Sequence, residues 1–345
     1  MAVPPIRTAL LAYGMSGKLF QAPFLAAHPG FELYAVVERT GTRMAHAYPG
    51  IRSYRSVAEL LAEPTVELVV VNTPSATHFE LAAQALRAGK HVLLEKPVAT
   101  SVAQLQELLA LAQQQNRHLL AYQNRRWDSD FGSVRHVVAG GQLGQLGQLL
   151  EAHFRFDRYK PALNTKKFKE EPGPGAGLLA DLGPHLIDQA LSLFGQPLSA
   201  HKTLGRNRPN SRVDDFFSLH LRYPKGLNVW LTGSLMVAAP GPAYVLHGTH
   251  GSYQKHRTDP QETQLLAGLA PTAPTYGREQ PGQEGLLTRA LADGQLSATP
   301  EAAAPGNYMH LFEAVFHTIR HGAPYPITAG QLLWQNELLE LPAAE

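Results

Sequence analysis

The sequence has no cysteine among its 345 residues, which excludes disulfides, thiolate catalysis and cysteine-bearing zinc or iron–sulfur centres. A metal site would have to be built from histidine and carboxylates. The histidines His78, His185 and His201 are scattered and no H-E-x-x-H run occurs, so no metal is expected. Charge of one sign is also scarce: 30 Lys+Arg against 28 Asp+Glu leaves +2, which signals no polyanion-binding surface and makes nucleic acid an unexpected partner. Charged residues amount to only 17% and hydrophobic ones to 44%, the balance of a folded chain. Long apolar runs are missing too. Ala9–Ala12 after Arg7 is too brief for a signal-peptide core, and no stretch approaches the about 18 apolar residues of a membrane span. A soluble cytoplasmic protein of about two domains, with no membrane partner, is expected.

What is present is a pattern of alternation. Short β-branched or aliphatic runs at Thr8–Tyr13, Glu32–Val37, Glu67–Asn72, His91–Leu94 and His118–Ala121, with a weaker one at Ile51–Tyr54, alternate with amphipathic helical runs. Leu81, Ala82, Ala85 and Leu86 recur at helical spacing and stop at Gly89, and Leu105, Leu108, Leu109 and Leu111 do likewise after Ser101. This predicts an α/β first domain with a doubly wound parallel sheet over residues 1–122.

Residues 123–345 read as a second, α+β domain with a large, mostly antiparallel open sheet. Gly140, Gly141, Gly144 and Gly147 precede a strand-like run at Leu149–Phe156, and the runs Ser218–Tyr223 and Leu227–Leu235 are joined as a hairpin by Pro224-Lys225-Gly226. The stretch Asp259–Gly306, rich in Pro, Gly, Gln and Ala with one apolar run at Leu286–Leu291, reads by composition as a surface excursion. Leu311, Phe312, Val315, Phe316 and Ile319 then mark a helix, and another runs from about Ala329 to Leu339. A broad open sheet can pair with a second copy, so a homodimer or larger homo-oligomer is expected.

The first strand runs into Ala12-Tyr13-Gly14-Met15-Ser16-Gly17, a G-x-G-x-x-G pattern with Ala12 in the first glycine's place. In such a turn Gly14 lets backbone approach a pyrophosphate, Gly17 lets the helix pack on the strand, and the helix N-terminus favours the anion. Gly14, Met15, Ser16 and Gly17 are therefore candidate cofactor residues. Glu38 ends the second strand, where a carboxylate can accept from ribose hydroxyls, and Arg39 follows, where a guanidinium can pair with a 2′-phosphate. The pair leaves NAD and NADP both open; the bland alternative is a solvated charge pair. Thr73-Pro74 with His78, and Glu95-Lys96-Pro97, lie at carboxyl ends of parallel strands, where open sheets bind ligands. The Lys96 ammonium could hold a substrate hydroxyl through alkoxide formation, although a surface lysine starting a loop has the same local sequence.

In the second domain the sequence predicts a helix over Pro184–Phe194, with Pro184 in the first turn and Gly195 as the stop. Leu186, Ile187, Ala190, Leu191 and Phe194 make its apolar stripe, while His185, Asp188, Gln189 and Ser192 share the other face. A histidine suits removal of an alcohol proton, and Asp181 just upstream could orient it, bind a hydroxyl or merely cap the helix. Tyr122-Gln123-Asn124-Arg125-Arg126-Trp127 begins where the first domain ends, and Tyr122, Arg126 and Trp127 are candidate substrate residues, with Asn124 facing the cofactor.

Taken in order and spacing, the Gly14–Gly17 turn, Thr73-Pro74 with His78, Glu95-Lys96-Pro97 and Asp181 to His185 with Asp188 resemble the Gfo/Idh/MocA family of nicotinamide-dependent sugar and polyol dehydrogenases, over nearly the whole chain. Asn124-Arg125-Arg126-Trp127-Asp128-Ser129-Asp130-Phe131 and Asp181 through Gln189 are similar to the branch that holds bacterial NADP-dependent scyllo-inositol 2-dehydrogenases. Asp259-Pro260-Gln261-Glu262 and Ala267-Gly268 share that similarity, which argues against a mere linker there. The resemblance implies Lys96, Asp181 and His185 as catalytic trio, Asp188 as a hydroxyl ligand, NADP or NAD as cofactor and a small polyol or sugar as substrate. Three departures stand out: Ala12, Gln21 where the branch usually has histidine, and Thr165-Lys166-Lys167-Phe168 in place of a Trp-Arg pattern. A non-catalytic dinucleotide sensor and a keto-sugar or imine reductase of the same fold are the alternatives.

Overall fold

The computed structural model of the chain describes residues 3–139, 146–164 and 170–344. They divide into two compact units, each built on one sheet. Unit 1 comprises Met1–Asn124, Gln261–Tyr276 and Asn307–Leu333; unit 2 comprises Arg125–Pro260, Gly277–Gly306 and Trp334–Glu345.

In unit 1, β1 (Ile6–Leu10), β2 (Phe31–Val37), β3 (Arg52–Tyr54), β4 (Leu68–Val71), β5 (His91–Glu95) and β6 (Leu119–Tyr122) form a parallel sheet in the order β3-β2-β1-β4-β5-β6. The order reverses between β1 and β4, which places a ligand crevice at the carboxyl ends of those strands. All four residues of β4 are buried, as expected of a strand covered on both faces. The helix His78–Arg87 buries Ala82, Ala83, Ala85 and Leu86, and Gly89 follows it at a φ of 72°. Ser101 caps the helix Val102–Gln114 by accepting the Gln104 N–H at 3.2 Å.

The sequence places residues 123–345 in a single domain, whereas Gln261–Tyr276 and Asn307–Leu333 fold with unit 1. Phe24 is the reason: its ring stacks on Phe312 at 5.3 Å and meets Tyr308 at 6.1 Å and Tyr276 at 6.2 Å. Helical periodicity in 311–319 shows that a face is buried, but not which core buries it. The run Thr8–Tyr13 also ends early, because β1 stops at Leu10 and Ala12 pairs with a side chain instead of the sheet.

Unit 2 holds an eight-stranded sheet in the order β14-β13-β12-β11-β7-β10-β9-β8. Its strands are β7 (Leu149–Asp157), β8 (Ser199–Gly205), β9 (Phe216–Arg222), β10 (Asn228–Ser234), β11 (Tyr244–Gly248), β12 (Gly251–Lys255), β13 (Gly285–Ala290) and β14 (Leu296–Glu301). Neighbours run antiparallel except β7 and β10, which are parallel. One face packs Phe154, Leu219, Leu231 and Leu246 against Leu178, Leu182, Leu186 and Ile187 of the helix Gly177–Phe194. On the other face Trp230 is stacked between His153 at 4.6 Å and His220 at 4.7 Å. The β9–β10 turn is the expected one at Pro224–Gly226, with Lys225 and Gly226 at φ of 59° and 78°.

Two further expectations are corrected. The helix expected over Pro184–Phe194 begins at Gly177, two turns earlier, and runs through Pro184. A proline loses only its own N–H bond and crowds one preceding carbonyl, and here Asp214 secures the helix start: its carboxylate accepts the Leu179 N–H at 2.7 Å and its carbonyl the Leu178 N–H at 2.9 Å. The stretch Asp259–Gly306 is not an excursion, since it contains the helix Gln261–Leu266 and the hairpin β13–β14 that extends the sheet. In β13 only Gly285 and Leu287 are buried, too short an alternation to signal a strand, and Pro300 is tolerated because β14 is an edge. Gly140, Gly141, Gly144 and Thr165–Phe168 lie outside the described residues.

Candidate active site

Unit 1 supplies a dinucleotide-type turn. Ala12 is gripped by one side chain, donating its N–H to Asn72 Oδ1 at 3.0 Å and accepting from Asn72 Nδ2 at 2.8 Å. A Cβ on Gly17 would run into the Ala12 carbonyl oxygen and the Asn72 amide, whereas one on Gly14 would meet nothing within 4 Å. Gly17 is thus a packing glycine and Gly14 an open one, the two roles a pyrophosphate turn requires. Met15 is 58% exposed on the same turn. Asn72, the polar residue just after the apolar strand β4, carries this geometry, and sequence reasoning missed it because nothing but that position distinguishes it.

At the end of β2, Glu38 is buried and its carboxylate accepts from the Met44 N–H at 3.3 Å and from Ser53 Oγ at 3.3 Å. Arg39 beside it is exposed. Burial, with Glu38 nearby, pushes the Tyr13 hydroxyl up, and burial pushes Tyr48 up to about 12. Beyond β4, Thr73 Oγ1 bonds Thr77 Oγ1 at 2.7 Å, and the Pro74 carbonyl accepts from Thr77 Oγ1 at 2.7 Å. His78 does not offer its ring to a ligand. Its nitrogens lie 2.8 Å from the Pro97 carbonyl and 2.9 Å from the Thr73 carbonyl, tying together the loops that follow β4 and β5.

Glu95, the last residue of β5, is a junction. Its Oε1 accepts from Ser16 Oγ at 2.5 Å and from Gln21 Nε2 at 3.2 Å, and its Oε2 accepts from the Lys96 N–H at 3.3 Å. Lys96 is joined to Pro97 by a cis peptide. Gln21, fully buried, closes a π-helical turn over Gly17–Gln21, and its Oε1 has no donor among the described residues. The opposite amide orientation would set oxygen against oxygen, so the donor faces Glu95. An unmet buried acceptor costs about 1–3 kcal/mol. Tyr122 donates its hydroxyl to the Phe20 carbonyl at 2.7 Å, and Asn124 is buried at the start of the short helix Asn124–Trp127.

Unit 2 supplies one helical face. With the helix starting at Gly177, Asp181, His185 and Asp188 fall at i, i+4 and i+7 along it, and Asp181 is a mid-helix residue instead of a cap. His185 is 6% exposed and Asp188 3%. Asp188 is gripped by Arg126 through Nε at 2.7 Å and Nη2 at 2.8 Å, so these two expected substrate residues bind each other. Burial pushes the Asp188 carboxyl up, and Arg126 opposes it. One turn beyond His185, Gln189 donates to the Arg125 carbonyl at 3.0 Å and accepts from the Tyr244 hydroxyl at 3.2 Å. Trp127 stands in the same short helix as Arg125 and Arg126.

The segments Asp128–Asp130 and Thr258–Asp259 interlock. Asp130 accepts the Thr258 and Asp259 N–H groups at 2.9 and 3.2 Å, and Asp259 accepts the Ser129 N–H at 2.6 Å. Arg125, Arg158 and Arg257 surround the Phe156 ring at 5.2, 4.9 and 4.0 Å. Asp128 lies 3.2 Å from Arg125 and 4.0 Å from Arg257, its carboxyl pushed well up by burial and by Asp259. Among the described residues no three histidine or carboxylate side chains group to hold a metal, and no helix is long and apolar enough to cross a membrane.

Two family models match the chain. Residues 6–123 match an oxidoreductase family with an NAD-binding Rossmann fold, and residues 131–254 match the GFO/IDH/MocA C-terminal domain. The Escherichia coli oxidoreductase YdgJ, itself uncharacterized, is 37% identical, with 97% of this chain and 95% of that one aligned. The Bacillus subtilis scyllo-inositol 2-dehydrogenase (NADP(+)) IolW is 32% identical over 95% of this chain and 90% of its own. Among solved structures, the B. subtilis oxidoreductase yvaA superposes with a TM-score of 0.93 at 30% identity, covering 99% of this chain and 95% of that one.

Proposed function

Because the chain belongs to the Gfo/Idh/MocA family of NAD-binding oxidoreductases, we propose that it is a dehydrogenase acting between a nicotinamide dinucleotide and a secondary hydroxyl or ketone of a sugar or inositol-like cyclic polyol. The reading rests on the helix Gly177–Phe194, which sets Asp181, His185 and Asp188 along one face, an arrangement that a binding-only dinucleotide sensor does not need. Similarity to IolW supports both the polyol and NADP over NAD.

The residues present fit the dinucleotide. Gly14 leaves room for it, Gly17 packs the helix whose start would face its pyrophosphate, and Glu38 and Arg39, following β2, would meet its adenosine end. Nicotinamide, when bound, supplies the hydride acceptor or donor. The protein's own part is proton and charge management. His185 removes the proton from the reacting hydroxyl and Asp181 one turn before it orients the imidazole, while the role of the Lys96 ammonium is to stabilise negative charge developing on a substrate oxygen. In the reverse direction His185 returns the proton to the carbonyl oxygen.

The test is nicotinamide absorbance during incubation with NAD or NADP and a panel of inositols, aldoses and sugar acids. His185→Ala and Lys96→Ala are each expected to lose about 10²–10⁴-fold in kcat with dinucleotide affinity nearly kept. Tight dinucleotide binding with no turnover on any member of the panel would move a sensor, or a reductase of keto or imine substrates, ahead of polyol oxidation.

A further inference from the structure

We propose that Gln21 is a positioning residue for the reaction, acting through Glu95 on Lys96; the proposal rests on the dehydrogenase reading above. Glu95 receives donors from three places: the hydroxyl of Ser16 in the glycine turn, the amide of Gln21 in the π-helical turn, and the backbone N–H of Lys96. One carboxylate therefore sets the distance between the turn that receives a pyrophosphate and the residue that carries the ammonium.

Gln21 is an expensive choice for a core position. It is fully buried, and its Oε1 finds no donor among the described residues. Methionine would fill the same space with no polar atom to desolvate, so packing alone does not favour glutamine. What methionine cannot supply is the N–H that Glu95 Oε1 accepts. The π-helical turn belongs to the same device, since the extra residue in a wider turn re-aims a side chain that a regular helix would direct elsewhere.

With the Gln21 donor gone, Glu95 Oε1 retains, among the described residues, only Ser16, a half-buried residue on a turn that includes the exposed Met15. The carboxylate gains rotational freedom, and Lys96, whose N–H it accepts, loses a fixed origin for its side chain. The effect falls on the alignment of the ammonium, not on the affinity of the turn for the dinucleotide.

The experiment compares wild type with Gln21→Met, and with Gln21→Asn, whose shorter amide cannot span the distance to Glu95, should the methionine variant fail to fold. Gln21→Met is expected to keep or raise the Tm, to lower kcat about tenfold and to leave the KM for the dinucleotide within about twofold, as one lost hydrogen bond to a charged group predicts. A second readout needs no turnover. Lysines are dimethylated with ¹³C-formaldehyde and a borane reductant in cofactor-free protein, and the Lys96 methyl resonance is identified by its loss in Lys96→Arg. Gln21→Met should shift that resonance. A lowered Tm with kcat and the Lys96 resonance unchanged would reduce Gln21 to a structural residue and overturn the proposal. A shifted Lys96 resonance in a protein whose wild type turns over no substrate would uphold the coupling while removing the dehydrogenase reading.

Discussion

Arg126 and Asp188 form a buried two-bond ion pair, Nε to Oδ2 at 2.7 Å and Nη2 to Oδ1 at 2.8 Å, between the short helix Asn124–Trp127 and the helix that bears His185. The pair fixes the rotation of the His185 face from one side, while Gln189, bonded to the Arg125 carbonyl, fixes it from the next turn. Removing one partner leaves a buried charge uncompensated. Arg126→Met is expected to cost about 3–5 kcal/mol in urea unfolding, and Arg126→Met with Asp188→Leu to regain most of it. Equal losses in the single and double variants would mean that the pair does not act as a unit.

The Asn72 clamp on Ala12 predicts a linked loss of stability and cofactor affinity. Asn72→Leu removes two hydrogen bonds from a half-buried backbone and is expected to cost about 1–3 kcal/mol while weakening dinucleotide binding, measured by thermal unfolding with and without NAD. Gly17→Ala should do the same by steric conflict with the Ala12 carbonyl. Unchanged dinucleotide affinity in both would separate the turn from the cofactor.

At the carboxyl end of β2, the Glu38 carboxylate is held by Met44 and Ser53 while the Arg39 guanidinium is exposed beside it. Arg39→Ala should weaken NADP about tenfold by calorimetry and NAD hardly at all, the value of one charge-assisted contact with a 2′-phosphate. Equal effects on the two would remove Arg39 from phosphate recognition.

A pH dependence is built into the end of the unit 1 sheet where β5 and β6 begin. His91 stacks on His118 at 5.1 Å, and burial, reinforced by His118 and Arg117, pushes its imidazole from 6.5 down to about 4. A histidine depressed on folding adds stability that is complete above its unfolded value and is lost as pH falls through the folded one. Wild type should therefore lose stability between pH 6.5 and 4, by on the order of 2 kcal/mol for a partly buried group, relative to His91→Asn. Parallel curves for the two proteins in that window would disprove the assignment.

Local signals make much of this fold legible in the sequence. The apolar runs that became β2, β4, β5, β7, β9 and β10 stand in the sequence within a few residues of their ends, because burial on one or both faces leaves a periodicity. The glycine turn was legible for the same reason, since Gly14 and Gly17 do what only a missing side chain permits. Long-range partnerships were not. Nothing in Asp188 reveals that Arg126 will claim it, nothing in Phe312 that Phe24 will stack on it, and nothing in Glu95 that three donors converge there. The helix start at Gly177 was hidden because its cap is Asp214, far along the chain. Edge strands such as β8 and β14 carried too few buried residues to register.

The parallel pairing of β7 with β10 gives the His185 helix a particular history. Parallel neighbours cannot be joined by a tight turn, and here the connection contains that helix together with β8 and β9. The strands that close over Leu182, Leu186 and Ile187 meet only after this long detour has been gathered, and pairings of high sequence separation form slowly because their chain entropy is lost before their contacts are gained. His185 is thus mounted inside one of the long-range closures of its unit. A nascent chain halted before β10 would carry Asp181, His185 and Asp188 in full and still lack the strand that joins β7 to β9, with Val229 and Leu231, beneath their helix.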